Sequence, residues 1–387
     1  MSNSYQSKYD LIVEACKIEP DVNRIHSFIS SIDDWFSVID ISYMHGVLPL
    51  VYKTLKHYPE IPADVLQTFK AHNMQIAQTN MKMTAELIRV VKLLDDHGIK
   101  YIALKGPVLS QLIHGDTIQR QYTDLDILVE KEDIYRVGEL FYEHGYTSEY
   151  DLKFLKNKTL ANVGKDFTFT HNESNIFIEM HWKLFLSKHI IDLDKNLFST
   201  PLLSIRTNHY PILTLSYEYL LVYLCLHGSK HYWERIEWIV DIDRLIRNNA
   251  NIDWNTVLTL CKTMRIEAMV YLGFAVSSKL LNTPIPDQIT DAIKKFNNVH
   301  IAKEDVISLI YLHNIANDSH SHTQENLLKE APLKDTAFIS FKHYFLTYFQ
   351  INQVDVFTIN LPHSLSLLYY PIKFFRLFFK HSKVGKQ

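Results

Sequence analysis

The 387-residue chain is poor in the residues that make turns, with 10 glycines and 12 prolines. Glycine averages about 7% of residues in soluble proteins, so the chain has well under half of the usual number. Folds rich in tight turns, such as β-sandwiches and propellers, are therefore disfavoured, and so is a glycine-rich dinucleotide-binding domain. A chain with so few helix-breaking residues is expected to be mostly helical.

Cysteine is also scarce. Three cysteines stand far apart, with no CxxC pair, which argues against a disulfide framework and against a cysteine zinc site. They are Cys16, Cys225 and Cys261. The sequence also has no long apolar run, because its best stretch, Leu213–Cys225, is interrupted by Glu218. Acidic residues among the first twenty, without an apolar core, argue against a signal peptide, so a cytoplasmic location is expected.

No charge sign dominates, since 40 basic and 43 acidic residues leave a net charge of −3. Proteins that coat a nucleic-acid backbone need a basic field, so the balance argues against a nucleic-acid partner and a template-dependent polymerase. A hydrophobic share of 47% provides ample material for a large core.

Hydrophobic periodicity divides the chain into four regions. It predicts a helical region over 1–95, an α/β core over 96–190, a helical domain over 191–300 and a helical region over 301–387. Within the core, strands are predicted at Lys100–Leu104 and Thr123–Val129, and an antiparallel pair at Phe167–Thr170 and Ile176–Trp182. The expected fold class is α+β, predominantly helical, with a small mixed or antiparallel sheet flanked by helical regions.

Two carboxylates stand out in the second of these strands. Asp124 and Asp126 alternate with apolar residues, so both side chains are expected on one face of the strand. That spacing suits shared binding of a divalent cation such as Mg²⁺, which prefers carboxylate oxygens and takes further ligands from nucleotide phosphates. A D-x-D pair alone is also common on protein surfaces, and this interpretation stays open at this point.

A third acid strengthens the metal hypothesis. The segment 176–182 alternates so that Glu179 and His181 share one face. If this strand lies beside the D-x-D strand, Glu179 completes an acidic triad. The alternatives are an edge-strand charge for Glu179 and a hydrogen-bonded core histidine for His181.

Together these residues resemble the nucleotidyltransferase superfamily, which includes DNA polymerase β and the aminoglycoside nucleotidyltransferases. The resemblance rests on Leu104-Lys105-Gly106, on Arg120 four residues before the D-x-D pair, on the motif DLDILV and on the Glu179-x-His181-Trp182 strand. More specifically, the chain resembles a bacterial group described as uncharacterised nucleotidyltransferases. The motifs HGVLPL at 45–50, HGSKHYW at 227–233 and EWIVD at 237–241 extend the match over roughly residues 35 to 285.

The resemblance implies a role for each matched position. Asp124, Asp126 and Glu179 would bind Mg²⁺ or Mn²⁺ and carry catalysis. Lys105, Gly106 and Arg120 would contact the triphosphate of an NTP, or Arg120 would orient the D-x-D strand. His181 would belong to the same nucleotide-binding site. The superfamily usually has Gly-Ser where Lys105-Gly106 stands, and usually Asp where Glu179 stands, so the phosphate contacts and the metal geometry differ from those of polymerase-like members.

The downstream motif at 227–233 has its own interpretation. The resemblance implies that its helical domain closes over the substrates, with Lys230 on a phosphate, His231 nearby and a base stacked on Tyr232 or Trp233. The HxxxH spacing of His227 and His231 is weak support for zinc, because the Glu of HExxH is absent. Simple helix packing, with Trp238 and Asp241 as anchors, is the alternative.

Three functional hypotheses follow. The first is a metal-dependent nucleotidyltransferase that moves a nucleotidyl group from an NTP to a small molecule or modified peptide. The second is a binding module on the same fold that holds a nucleotide or partner without turnover. The third is a related transfer, such as glycosyl transfer from a nucleotide sugar, at the same metal site.

The segment Leu361–Gln387 combines aromatic and basic residues. This composition fits an interfacial helix on an anionic membrane or a substrate-facing clamp. It equally fits a helix docked on its own domain with a solvated basic end, and that is the interpretation we favour from the sequence.

Overall fold

A computed structural model describes residues 3–184, 197–249, 251–312 and 351–383. The chain divides into two compact units. The first takes its described residues from Met1–Ile88, Lys105–Tyr122 and Pro201–Ser340. The second takes them from Arg89–Leu104, Thr123–Thr200 and Phe341–Gln387.

Helices dominate the described residues, as the scarcity of glycine predicts. In chain order they are α1 Asn3–Ala15, α2 Val22–Ile29, α3 Trp35–Met44, α4 Leu48–Leu55, α5 Ala63–Asp96, α6 Gly106–His114, α7 Ile134–Glu143, α8 Lys158–Val163, α9 Tyr217–Lys230, α10 Ile236–Asn248, α11 Trp254–Met264, α12 Glu267–Leu281, α13 Asp287–Ile293, α14 Asn297–Leu312, α15 Gln353–Thr358 and α16 Tyr369–Lys383. Across the described part of the chain, none of them has the length and apolar character needed to cross a bilayer.

The first unit is mainly helical, and local sequence explains where several of its helices begin. The carboxylates of Asp21, Asp34 and Asp253 accept hydrogen bonds from backbone N–H groups in the first turns of α2, α3 and α11. The core of this unit is formed by the apolar faces of the helices, and α9, α10 and α12 are buried along most of their length. This unit is therefore a helix-on-helix packing.

The second unit contains a five-stranded sheet in the order β1-β2-β5-β4-β3. The strands are β1 Tyr101–Ala103, β2 Asp124–Val129, β3 Tyr146–Thr147, β4 Asp166–His171 and β5 Phe177–His181. The central pair, β2 and β5, is parallel, whereas every other neighbouring pair is antiparallel. The predominantly helical α+β class with a small mixed sheet is confirmed.

The predicted strands of the core match this sheet closely. The antiparallel pair expected at 167–170 and 176–182 is β4 and β5. The D-x-D strand is β2, and it lies directly beside β5. This is the arrangement that Glu179 needs in order to lie near the D-x-D pair. Parallel neighbours need a long crossover, and α7 lies in the chain between β2 and β5.

A hairpin in the first unit was not predicted, since helical periodicity was expected from about residue 196 onward. Strands β6 Leu202–Thr207 and β7 Tyr210–Leu215 pair antiparallel through a two-residue loop. Asn208 and His209 both have positive φ, at 46° and 68°, as a type I′ turn requires. The signal was present in the turn-forming Asn208, but the sequence lacks the glycine that usually marks such turns.

Candidate metal and nucleotidyl-transfer site

The candidate site lies on one face of the second unit's sheet, where β2 and β5 run side by side. Their register places Asp126 directly opposite Glu179. Side chains two residues apart on a strand point to the same face, so His181 follows Glu179 on that face. The backbone of Asp126 is fixed from the other side, because its carbonyl accepts a hydrogen bond of 3.1 Å from the Leu104 N–H.

These three side chains form a compact group. Asp126 Oδ1 lies 2.9 Å from His181 Nε2, and Glu179 Oε2 lies 3.4 Å from the same nitrogen. One ligand atom from each residue can be chosen so that all lie within 4.8 Å of one another. Asp126 and His181 are buried, whereas the Glu179 side chain is 34% exposed. Two carboxylates therefore share one imidazole at an opening to solvent.

Further polar groups lie on the Nδ1 side of His181. Its Nδ1 atom lies 3.9 Å from Asp166 Oδ2 on the neighbouring strand β4. The Asp166 carboxylate is paired with Lys165, and it accepts a hydrogen bond of 3.4 Å from Gln353. The imidazole thus lies among three carboxylates, of which one already has a cationic partner.

The electrostatics of the group are visible in Glu179. The hydrogen bond from His181 lowers the pKa of the Glu179 carboxyl below its usual value, against the opposing effects of burial and of the nearby Asp126 charge. Glu179 is therefore ionised at neutral pH, and it presents a charged oxygen at the exposed side of the site.

The donor set fits a divalent cation. Two carboxylates and one imidazole are typical ligands for Mn²⁺ and other first-row metals, whereas Mg²⁺ favours oxygen ligands alone. If His181 Nε2 binds a cation, it must give up its hydrogen bond to Asp126, so proton and metal compete for this nitrogen. Among the described residues, this is the group of three or more Asp, Glu, His or Cys side chains that could hold a metal ion.

Asp124 lies outside that group. It is the first residue of β2, partly exposed and opposite Phe177 in the register. The structure therefore brings together two of the three acids predicted as metal ligands, Asp126 and Glu179, and adds His181, which was predicted to bind the nucleotide. A metal-binding role for Asp124 stays a prediction.

In the first unit, the motif Lys105-Gly106 begins helix α6. Gly106 has φ of +60°, a left-handed conformation that is unfavourable for residues with a Cβ. Pro107 occupies a first-turn position of the helix, where its missing N–H costs nothing. The motif thus makes a sharp turn into a helix N-terminus, the kind of backbone that can approach a phosphate, and its phosphate contact stays a prediction.

Arg120 is buried and paired with a carboxylate, unlike an arginine that reaches into solvent to bind a phosphate. Its guanidinium is 5% exposed and donates to both carboxylate oxygens of Asp241, with Nε 2.9 Å from Oδ1 and Nη2 2.9 Å from Oδ2. Its carbonyl accepts a hydrogen bond of 2.7 Å from buried Asn80 on α5. This geometry favours the positioning role over direct phosphate contact, and it gives Asp241 of the EWIVD motif a partner that sequence spacing did not indicate.

Glu237 connects the motif at 45–50 to the same buried cluster. Its backbone N–H donates to His45 O over 3.1 Å, and a Cβ added to Gly46 would lie 1.7 Å from Glu237 Oε2. Burial raises the pKa of the Glu237 carboxyl, although Arg235 and Arg120 act in the opposite direction. The motifs at 45–50 and 237–241 therefore pack against each other, and the missing side chain of Gly46 leaves room for the Glu237 carboxylate.

The predicted nucleotide-binding residues Lys230 and His231 lie at the end of α9. His231 is part of an aromatic cluster, with its ring 4.8 Å from that of His227 and 5.5 Å from that of Trp238. Within the described residues, these histidines belong to no group of three metal-binding side chains. Nucleotide contact by Lys230 and His231 stays a prediction.

A base was expected to stack on Tyr232 or Trp233, and the structure contradicts the Trp233 alternative. Trp233 is fully buried, and a Cβ added at Gly228 or Gly273 would lie 2.4 Å or 2.8 Å from its ring. Its indole fills a space that two glycines leave open inside the helical unit. The role of Trp233 is therefore packing.

A comparison with protein families finds one that covers most of the chain. A family model described as "Uncharacterised nucleotidyltransferase" matches residues 31–282. That range includes every candidate residue described above. No match was found among curated proteins.

Proposed function

Since the chain belongs to the uncharacterised nucleotidyltransferase family, we propose that it is a divalent-metal-dependent enzyme that uses an NTP. It transfers a nucleotidyl group to a hydroxyl or phosphate oxygen of a small molecule or modified peptide and releases pyrophosphate. The observation that carries the proposal is the group of Asp126, Glu179 and His181 on adjacent strands. The proposal also includes the bacterial, polymerase-β-like relationship that the sequence motifs resemble.

The proposed reaction places a specific demand on each residue. A bond forms between the acceptor oxygen and the α-phosphorus, the bond from that phosphorus to the bridging oxygen breaks, and the acceptor proton leaves. Bound Mg²⁺ or Mn²⁺ would supply charge neutralisation for the pyrophosphate and make the acceptor oxygen more acidic. Asp126 and Glu179 would hold the cation, with Asp124 beside them.

Glu179 is the better placed of the carboxylates to accept the acceptor proton. It is the partly exposed member of the group, and the hydrogen bond from His181 keeps it ionised. His181 would orient both carboxylates or bind the cation through Nε2. Lys105 and Gly106 are proposed to bind the triphosphate, with Arg120 as a positioning residue held by Asp241.

The decisive variant is Asp126→Asn, which keeps the side-chain shape and removes the charge. Each α-labelled NTP is incubated with the protein, Mn²⁺ or Mg²⁺, and a fractionated cell extract as a source of acceptors. We expect metal-dependent label transfer and pyrophosphate release, reduced on the order of 10³-fold in Asp126→Asn. Glu173→Gln, which removes an exposed carboxylate in the β4–β5 turn, is the matched control and should keep full activity.

Mn²⁺ binding can be measured without knowing the acceptor, by titration calorimetry or by electron paramagnetic resonance of the free ion. Binding that is lost in Asp126→Asn and kept in Glu173→Gln supports the metal site. The proposal fails if neither Mn²⁺ nor Mg²⁺ binds and no NTP yields labelled product.

A binding module without turnover is a second candidate, and the contact of 2.9 Å between His181 and Asp126 favours it. A protonated imidazole there would offset one of the two negative charges without any metal. NTP binding that is equally tight with a chelator present would support this second function, whereas strict metal dependence would support the enzyme.

A further inference from the structure

The second unit exposes a set of large apolar side chains in its last described segment. We name this set the apolar surface. It consists of Leu365, Leu367, Leu368, Tyr370, Phe374 and Phe375. Leu367 is 75% exposed and Phe374 is 67% exposed, which ranks them among the most exposed large apolar residues of the described chain. Clusters of this kind mark interaction sites, because scattered exposure is normal but a contiguous apolar patch is not.

The opposite face of this segment is firmly attached to the unit. Tyr369 is fully buried, and its hydroxyl donates to Ile359 O over 2.9 Å. Arg376 donates to buried Asp355 from Nε at 2.9 Å and from Nη2 at 2.7 Å. Helix α16 therefore turns a tyrosine and an arginine inward while Tyr370, Phe374 and Phe375 face outward. The contacts of Tyr369 and Arg376 are those of a helix docked on its own domain, and the exposed aromatic side chains lie on its other side.

The sequence of this last segment carries charge of one sign. After Asp355 the sequence contains no Asp or Glu, and it contains five Lys and Arg residues. They are the buried Lys373, Arg376, which pairs with Asp355, and Lys380, Lys383 and Lys386.

A second basic feature adjoins this segment. An open groove of about 540 Å³ is lined by Lys153, Lys156 and Lys158 on one side and by residues 360–363 on the other. All three lysines are exposed. Asn157 holds the groove together, because its side-chain amide donates to Asn360 Oδ1 over 2.6 Å and to Leu361 O over 2.9 Å. The chain then continues from the groove directly into the exposed leucines.

We propose that this face of the second unit is a peripheral membrane-binding surface that recognises an anionic phospholipid bilayer. The apolar surface would enter the boundary between headgroups and acyl chains. The exposed lysines of the groove would contact anionic headgroups. Apolar insertion alone or charge alone gives weak binding, whereas the two together give stable, reversible attachment.

The test is flotation of the full chain with phosphatidylcholine vesicles, with and without phosphatidylglycerol. We expect binding that needs phosphatidylglycerol and weakens as salt is added. Phe374→Ser/Phe375→Ser should lower partitioning by about tenfold or more, and so should Lys153→Gln/Lys156→Gln/Lys158→Gln. The matched control, Met81→Ser/Ile301→Ser, removes apolar residues that are 63% and 67% exposed elsewhere and should bind as the unaltered chain does.

A second measurement does not depend on multiple substitutions. Phe374→Cys is labelled with an environment-sensitive dye, because the native Cys16, Cys225 and Cys261 are all buried and burial raises the pKa of each thiol. We expect dye emission typical of water without vesicles and a blue shift with anionic vesicles. Both the shift and flotation should be independent of NTP and metal, so this proposal and the proposed function can fail separately.

Several outcomes would overturn the proposal. One is a lack of flotation with phosphatidylglycerol vesicles, and another is equal flotation of the Phe374→Ser/Phe375→Ser variant. A lipid-free dimer in sedimentation velocity that the same variant dissociates would show that a second copy covers the surface. Blue emission before vesicles are added would show that the chain covers it with another of its own segments.

Discussion

Two clusters of charged side chains, one in each unit, contrast in how their charges are balanced. In the first unit, Arg120 and Arg235 lie among Asp241 and Glu237, so two cations meet two acids. In the second unit, Asp126 and Glu179 share the single imidazole of His181. Each cluster reaches solvent at one member, since the side chains of Arg235 and Glu179 are each 34% exposed, so the difference lies in the balance of charge.

The contrast distinguishes a structural cluster from a candidate site. A buried cluster is stable only when each charge has a well-placed partner, and the paired hydrogen bonds between Arg120 and Asp241 meet that condition. A cluster with excess negative charge at a solvent opening has the composition that a cation needs. The balance of charge therefore separates the two clusters.

The largest expected effect is on stability and belongs to the balanced cluster. Asp241→Asn leaves the Arg120 guanidinium buried without its carboxylate and should lower the free energy of unfolding by about 3–5 kcal/mol. Asp126→Asn removes one of two mutually repelling carboxylates and should leave the free energy of unfolding unchanged within about 1 kcal/mol. Guanidinium unfolding of both variants measures the difference. Similar losses in the two variants would break the comparison.

A glycine tests how tightly the balanced cluster is packed. Gly46 has φ of +71°, and an added Cβ would meet Glu237 Oε2 at 1.7 Å. Gly46→Ala should therefore cost about 2–4 kcal/mol of unfolding free energy, from backbone strain and displacement of a buried carboxylate.

Gly98→Ala is the matched control, because Gly98 has φ of +63° and no atom within 4 Å of an added Cβ. It carries only the backbone term of about 1–2 kcal/mol. Equal thermal stability of the two variants would show that the Glu237 side chain moves away from an added Cβ at little energetic cost.

The smallest expected effect is on how the free energy of unfolding depends on pH, where Glu237 and Glu179 should act in different ways. The pKa of Glu237 is raised by burial, so its unfavourable contribution grows as pH rises above the ordinary value of 4.5. The pKa of Glu179 is lowered, so its favourable contribution is complete above 4.5 and is lost as pH falls below that value.

The measurement is the unfolding free energy of Glu237→Gln and of Glu179→Gln relative to the unaltered chain, at pH values below and above 4.5. Its dependence on pH should differ between the two variants. Relative to the unaltered chain, Glu237→Gln should gain stability as pH rises above 4.5. Glu179→Gln should lose relative stability as pH rises toward 4.5 and then stay level. Parallel curves would contradict the assignment of opposite roles.

Local patterns were sufficient for much of the second unit's sheet. Strict alternation identified β2 and β5, and the turn-prone segment between β4 and β5 indicated their antiparallel pairing. The hairpin of β6 and β7 was missed because its turn uses Asn208 and His209 in place of glycine. The direction in which the aromatic side chains of α16 point could not be predicted, because periodicity shows that a helix has an apolar face but does not show which way that face points.

The sequence by itself determined the helical character of the chain, the D-x-D strand and the shared face of Glu179 and His181, because these depend on residue spacing along one segment. Tertiary structure alone decided that β5 lies parallel to β2, that Asp241 binds Arg120 and that Gly46 makes room for Glu237. Each of these contacts joins residues far apart in the chain. Their charges and shapes show complementarity only when folding places them within a few ångströms of one another.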